Sequence, residues 1–257
     1  YRVQVSTASS FATTVFDLSG IAATSALVTP ALLNNTVYYW RVNATNAGGT
    51  SSFSAVWSFT TLSTLILQDG LNSYLGTKDT YTYDVSPATP RGSEITIIQD
   101  KNPANIPPDE RKSLLSFDLS PIPAGATIQT AVLQFYVDVE GQGFNMHRML
   151  VPWNEATTFS SIGSRHFLPN NIDAEASVNS NWPGVDGYLG FITVTVPAST
   201  IQDWINGTLP NNGWLMIATH ADDGQQLRSR ESATPGDRPK LTVTYAILSG
   251  PPAPPIV

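Results

Sequence analysis

Thr130-Ala131-Val132-Leu133-Gln134-Phe135-Tyr136-Val137-Asp138-Val139 is the stretch that decides the fold class. Ala131, Leu133, Phe135, Val137 and Val139 alternate with Val132, Gln134, Tyr136 and Asp138. A period of two residues puts the first set on one face of a strand and leaves the second set on the other. Working outward, Leu65-Ile66-Leu67, Ile95–Ile98, Ser113–Leu119, Phe191–Val196, Trp214–His220 and Leu241–Ala246 read as further short strands. One helix is expected, over Ile201-Gln202-Asp203-Trp204-Ile205. Ser199 or Thr200 would cap it, Ile201, Trp204 and Ile205 would form its buried stripe, and Gly207 would stop it.

The same pattern continues toward the N-terminus in five runs: Tyr1–Ser6, Thr14–Leu18, Ala26–Thr29, Val37–Ala44 and Ala55–Thr61. In the fourth, Tyr38, Trp40, Val42 and Ala44 share one face, with Tyr39, Arg41 and Asn43 on the other. Asn46-Ala47-Gly48-Gly49 is a turn whose glycines permit positive φ. Charge divides the chain near Ser63. Residues 1–63 carry only Arg2, Asp17 and Arg41, a net of +1, while residues 64–257 hold the other 11 basic and 19 acidic residues, a net of −8. The expected domains are therefore 1–63 and 64–248, followed by a Pro-rich segment over 249–257.

Composition narrows the function. The chain has 257 residues, a formal charge of −7, 13% charged residues and no cysteine. An acidic chain is a poor partner for nucleic acid or an anionic membrane. Without cysteine there is no disulfide, no Cys-ligated metal and no thiol nucleophile. No apolar run reaches the roughly 18 residues needed to cross a bilayer. His147, His166 and His220 are far apart, and neither a Gly-x-Ser-x-Gly elbow nor a phosphate-binding glycine loop is present. Glu155, beside Trp153, has no carboxylate partner near it in sequence, as paired acid–base chemistry would require. The expectation is a non-catalytic protein with no resident cofactor.

Leu32-x-x-x-Thr36-x-Tyr38-x-Trp40-Arg41-Val42-x-Ala44-x-Asn46-x-x-Gly49, followed by Trp57-Ser58-Phe59-Thr60-Thr61, resembles the C-terminal part of a fibronectin type III domain. The resemblance implies an immunoglobulin-like sandwich in which residues 1–63 supply strands C, C′, E, F and G and lack strands A and B. It makes Tyr38 the tyrosine-corner residue. Pro254-Pro255-Ile256-Val257 resembles the opening of another such domain, its strand A.

Tyr74-x-Gly76-Thr77-x-Asp79-Thr80, Ser113–Ser120 with Ile122-Pro123-x-Gly125-Ala126, Trp153-Asn154-Glu155-x-x-Thr158, Trp204-Ile205-Asn206-Gly207 and Ser229-Arg230-Glu231 follow in an order that resembles the DNRLRE domains, which overlap carbohydrate-binding module family 96. Phe159 stands where that family usually carries tryptophan. The resemblance implies a jelly-roll sandwich in secreted or cell-surface proteins, with polysaccharide as the ligand of some members. The fold expected overall is all-β, an incomplete sandwich followed by a jelly roll with one short helix.

Three expectations about sites follow. Trp182 and Tyr188, in the Gly/Pro-rich stretch 179–188 with Arg165 and His166 nearby in sequence, are the candidate sugar platform, because flat aromatic rings stack on the apolar face of a pyranose. Asp69, Asp79 and Asp84, or Asp222 and Asp223, offer oxygen ligands for a structural calcium ion, although no EF-hand or nonapeptide pattern is present. Asn34, Asn43 and Asn206 fit the N-glycosylation pattern, with Asn43 and Asn206 expected to be accessible. Partners are expected to be copies of the chain, further modules of a longer array, or polysaccharide. The ends of the sequence fit one register of a long alternating array, a fragment, or a filament in which one subunit's tail completes the sandwich of the next.

Overall fold

A computed structural model describes residues 1–102, 109–163, 167–221 and 224–247. They divide into two compact units. The smaller comprises Tyr1–Thr64 with Gly125–Thr127 and the chain from Thr244; the larger comprises Leu65–Ala124 and Ile128–Val243. Both are built on strands.

In the smaller unit, β1 (Arg2–Ser6), β2 (Phe16–Leu18), β3 (Val37–Asn43) and β6 (Trp57–Thr60) form an antiparallel sheet in the order β2-β1-β3-β6. The short ladder of β4 (Thr45–Asn46) and β5 (Gly49–Thr50) closes the expected turn. Four of the five runs read from the sequence are strands. The fifth, Ala26–Thr29, is irregular chain. Val28 and Leu32 nevertheless pack onto the cluster of Val5, Phe16 and Tyr38. Val28 thus meets the sheet while Leu27 stays 82% exposed, and the run lacks the ladder of hydrogen bonds that would make a second sheet.

Tyr38 is 2% exposed, its ring stacks on Phe59 at 5.8 Å, and its Oη accepts the Leu33 N–H at 3.0 Å. Tyr38→Phe keeps the ring and removes the acceptor of that N–H, which should cost the smaller unit about 1 kcal/mol. Urea titration followed by tryptophan fluorescence reads this, and an unchanged midpoint would show that the bond carries no weight.

The opposite face of the sheet was expected to point outward, and it does not. Arg41 lies 4.1 Å from the centres of both the Phe11 and Phe53 rings and donates from Nε to Gln4 Oε1, while Gln4 donates to Asp17. Asn43 is buried with them. The guanidinium stacks between two rings because its delocalised, weakly hydrated charge is favoured on an aromatic face.

The larger unit has β7 (Ser63–Leu67), β8 (Thr77–Tyr83), β9 (Thr96–Asn102), β10 (Asp109–Phe117), β11 (Ala126–Val139), β12 (Phe144–Arg148), β13 (Ser180–Trp182), β14 (Gly190–Val196), β15 (Trp214–Ala218), β16 (Gln225–Arg228) and β17 (Lys240–Ile247). All seven strands expected here are present, and β8, β12, β13 and β16 are additional. One layer runs β13-β12-β15-β10, with β8 on the other edge of β10. The second contains β16, β11, β17 and β7, with β14 also paired to β11. β9 belongs to both, since Thr96–Gln99 pairs with β16 and Asp100–Asn102 with β10. A strand that changes sheets in this way makes the corner of a sandwich. Phe135 of β11 meets Phe144 of β12 edge to face at 5.9 Å, so the inner faces of the two layers pack on each other.

The helix, α1, spans Ala198–Ile205, starting earlier than the capping pattern implied. Pro197 occupies the N-cap, and no side chain caps. Thr200 lies inside the helix, its hydroxyl accepting from Asn179 at 2.8 Å, and the Asn179 carbonyl accepts the Trp214 indole N–H at 2.9 Å. A hydroxyl with a tertiary partner has no need of the helix terminus. Ile201 and Trp204 form the buried stripe, Trp204 against Trp214 at 4.7 Å, while Ile205 is only half-buried.

Candidate functional site

The first candidate is the apolar side of the smaller unit's sheet. Val3, Val5, Tyr38, Trp40 and Val42 share it by alternation. Within the smaller unit the described strands form no other sheet than the short β4–β5 ladder. An apolar groove of about 410 Å³ opens there, lined by Tyr1, Val3, Ile21, Ala26, Trp40 and Val42 among others. The edge strand β6 is exposed as well, with Trp57 61% accessible and in edge-to-face contact with Trp40 at 5.2 Å. Edge strands and apolar faces left open are templates for further pairing.

The second candidate surrounds Trp182 and Tyr188. Read from sequence as loop, residues 180–182 are the edge strand β13, because Ser180, Asn181 and Trp182 pair with Met146, Asn145 and Phe144. Both rings are half-buried, with centres 6.1 Å apart and planes tilted by 55°. Backbone fixes the loop that follows. A side chain at Gly143 would meet the Trp182 carbonyl at 2.2 Å, and one at Gly184 would meet the Gln142 carbonyl carbon at 2.3 Å. Only paired glycines allow the two segments so close. Arg165 and His166 lie outside the described residues.

Sequence reasoning missed two neighbours. Phe191, 47% exposed, stands opposite Tyr136 in the β11–β14 ladder, and the rings meet edge to face at 5.1 Å. Tyr188 Oη donates to the Phe191 carbonyl at 2.5 Å. Alternation along Thr130–Val139 already put Tyr136 on the outer face, but nothing in the sequence pairs it with residue 191.

The third candidate is the carboxylate group. Asp69 and Asp79 are brought together, with Glu155 and Glu231, around Arg230. The Arg230 Nε lies 2.6 Å from Glu155 Oε1 and 2.7 Å from Glu231 Oε1, and Nη1 lies 3.5 Å from Asp69 Oδ2. Nη1 also donates to the Thr77 carbonyl, and Asp79 Oδ2 accepts the Arg230 backbone N–H at 2.8 Å.

Burial pushes the Asp79 carboxyl well above the usual carboxylate range, and Glu155 and Glu231 add to the shift. Burial raises Glu231 also. Burial would lower Arg230, but Glu155, Glu231 and Asp69 reverse that and raise it. Asp84, at the end of β8, instead accepts the Glu110 N–H. Among the described residues no group of three or more His, Asp or Glu side chains is arranged to hold a metal ion. Asp222 and Asp223 lie outside the described residues.

The remaining polar residues are tied into the fold. His147 Nδ1 lies 3.0 Å from both the Glu175 and Ser177 carbonyls, and His220 Nδ1 lies 3.1 Å from the Gln142 carbonyl. Asp118 accepts from the Ser120 N–H and hydroxyl at the turn before Pro121. Of the three sequons, Asn34 and Asn206 are exposed. Asn43 is not, contrary to expectation. It is 9% exposed because its side of β3 carries the Arg41 and Gln4 network rather than facing solvent. No helix is long and apolar enough to cross a membrane among the described residues.

No protein-family model matches the chain, and no curated protein matches it in sequence.

Proposed function

We propose that the chain is a non-catalytic structural or adhesive module of the cell surface that assembles head to tail by β-strand complementation. One observation carries this reading: the smaller unit is a four-stranded sheet whose apolar side opens as a groove where a sandwich would place its second sheet. The order β2-β1-β3-β6 supports the resemblance to the C′, C, F and G strands of a fibronectin type III domain. An extended segment of another copy, with alternate apolar side chains, would bury those residues. A contact of that kind is heterologous and propagates as a fibre. The low charge and the scarcity of lysine at strand edges favour such pairing, since edge lysines normally prevent it. Glu155, the one carboxylate singled out as an acid–base candidate, is held by Arg230 rather than presented to a substrate.

The test is self-association of the intact chain. Sedimentation and electron microscopy at about 100 μM should show linear assemblies, because a contact with a Kd near 1 μM would be nearly saturated there. Ala26→Glu puts a charge on exposed chain lining the groove and should return single subunits without loss of melting temperature. Monodisperse wild-type particles of one-chain mass would end the proposal.

A second reading, polysaccharide binding, is favoured by a separate observation. Trp182 and Tyr188 form one pair of rings and Phe191 and Tyr136 another, and Tyr188 Oη bonds the Phe191 carbonyl between them. The two readings are compatible, since a surface fibre can also hold glycans.

A further inference from the structure

We propose that the outer face of the β11–β14 pair, continued to Tyr188, binds a cationic amino-sugar polymer, a chain of glucosamine-type units carrying free ammonium groups. This rests on the polysaccharide reading above and narrows it to one chemistry.

The face is built in rows. Antiparallel pairing sets Tyr136 opposite Phe191, Gln134 opposite Thr193 and Val132 opposite Thr195. Their strand neighbours Phe135, Val137, Ile192 and Val194 are buried beneath, so these rows point outward. Successive rows on one face lie about 7 Å apart. An aromatic row for the apolar side of a pyranose is therefore followed by an amide and a hydroxyl for its polar edge. Phe191, Leu189 and Val185 are all exposed, a concentration of apolar surface that a solvated face does not need.

Charge selects among sugars. Glu140 follows directly on the end of β11 and is exposed. Its Oε2 lies 3.5 Å from where a side chain at Gly187 would begin, next to Tyr188. Glu140 and Asp186 edge a hollow of about 220 Å³ with Gly141, Gln142 and Gly187. Both are exposed, and neither makes an ion pair among the described residues. Asp138 differs, being paired with Arg228 at 2.6 Å.

Two unpaired carboxylates beside a series of rings form a surface complementary to an ammonium ion. The carboxylates attract it through their field, and an aromatic face attracts it within about 6 Å of the ring centre. A neutral sugar receives the stacking alone. A uronate is repelled by both carboxylates and by the net charge of −7.

The intact chain is titrated by calorimetry with a fully deacetylated chitosan hexamer, the fully acetylated hexamer and an oligomannuronate. The buffer is held near pH 5.5. The deacetylated hexamer should bind about tenfold more tightly than the acetylated one at low salt, and the gap should close as salt screens the pair. Oligomannuronate should not bind. The double variant Glu140→Gln, Asp186→Asn should lose the preference and keep the acetylated hexamer's affinity. Phe191→Ser, at an exposed ring, should weaken both sugars with an unchanged melting temperature. Equal affinity for the two hexamers would overturn the amino-sugar inference and leave the polysaccharide reading intact. Binding of none of the three would overturn both.

Discussion

Arg230→Ala should lower the stability of the larger unit by about 3 kcal/mol, at the lower end for breaking a buried ion pair because part of the guanidinium reaches solvent. One cation stands among Asp69, Asp79, Glu155 and Glu231. Removing it leaves Asp69, Glu155 and Glu231 without their cation in a poorly solvated space, and orphans the Thr77 carbonyl. For a unit of this size the melting temperature should fall by about 6–12 °C. Arg230→Lys should recover only part, since an ammonium cannot reach Glu155, Glu231 and the Thr77 carbonyl from one fork. A melting temperature within about 2 °C of the parent would show that the cluster is not structural.

The pH dependence has a definite sign. Asp79 titrates above its unfolded value, so the folded chain holds its proton more tightly than the unfolded chain does. Its contribution is complete at low pH and is lost as pH rises through the native value. Asp79→Asn retains an acceptor for the Arg230 N–H and removes the titration. The variant should melt above the parent near pH 8 and differ little from it near pH 4, close to the ordinary aspartate value. The reverse order would show that Asp79 is held as a carboxylate.

Gly213→Ala should be more damaging still, with a loss of about 4 kcal/mol or more and a largely unfolded larger unit. Gly213 has φ +69°, and a β-carbon there would lie 2.0 Å from the Leu115 carbonyl oxygen and 2.5 Å from Ser116 Cβ. The obstacle is the backbone of β10 where it pairs with β15, and the Gly213 carbonyl itself accepts the Met149 N–H. Relief requires parting a central ladder. Gly207 separates the two costs, because it also has φ +69° but nothing lies within 4 Å of its would-be β-carbon. Gly207→Ala should therefore cost only the left-handed backbone, about 1–2 kcal/mol. Urea unfolding of both variants reads the difference. Equal losses would mean that the close approach at Gly213 is absorbed by small shifts.

The residues at these two sites differ in how far sequence exposes them. From sequence alone Arg230 and Glu231 are expected to pair with neighbours and fasten the last strand, whereas Arg230 ties Asp69 and Glu155 together with Glu231. Their partners Asp69, Asp79 and Glu155 are up to 161 positions away from Arg230, and no local period connects them. β8 was missed as a strand because Thr77, Asp79, Thr80 and Thr82 look solvated, yet all four are buried. β12, β13 and β16 are masked by polar residues, Asn145, His147 and Arg148, Ser180 and Asn181, and Gln225, Gln226 and Arg228. Trp182 and Tyr188 were visible as aromatics among Gly and Pro, whereas Phe191 and Tyr136 looked like ordinary strand residues until the ladder set them opposite each other.

By itself the sequence determined the class of fold, since alternation at a period of two, frequent turns and a single amphipathic helix admit only sheets packed on their apolar faces. It also determined most strands, Tyr38 as an anchor of the first sheet, and the change in charge near Ser63. Tertiary structure alone decided that Val28 packs without pairing, that Asn43 is buried, that Asp79 meets Arg230, and that Tyr136 meets Phe191. Alternation along a strand reports which residues share a face; what covers that face, and which distant polar group answers a buried one, depends on contacts that no local pattern encodes.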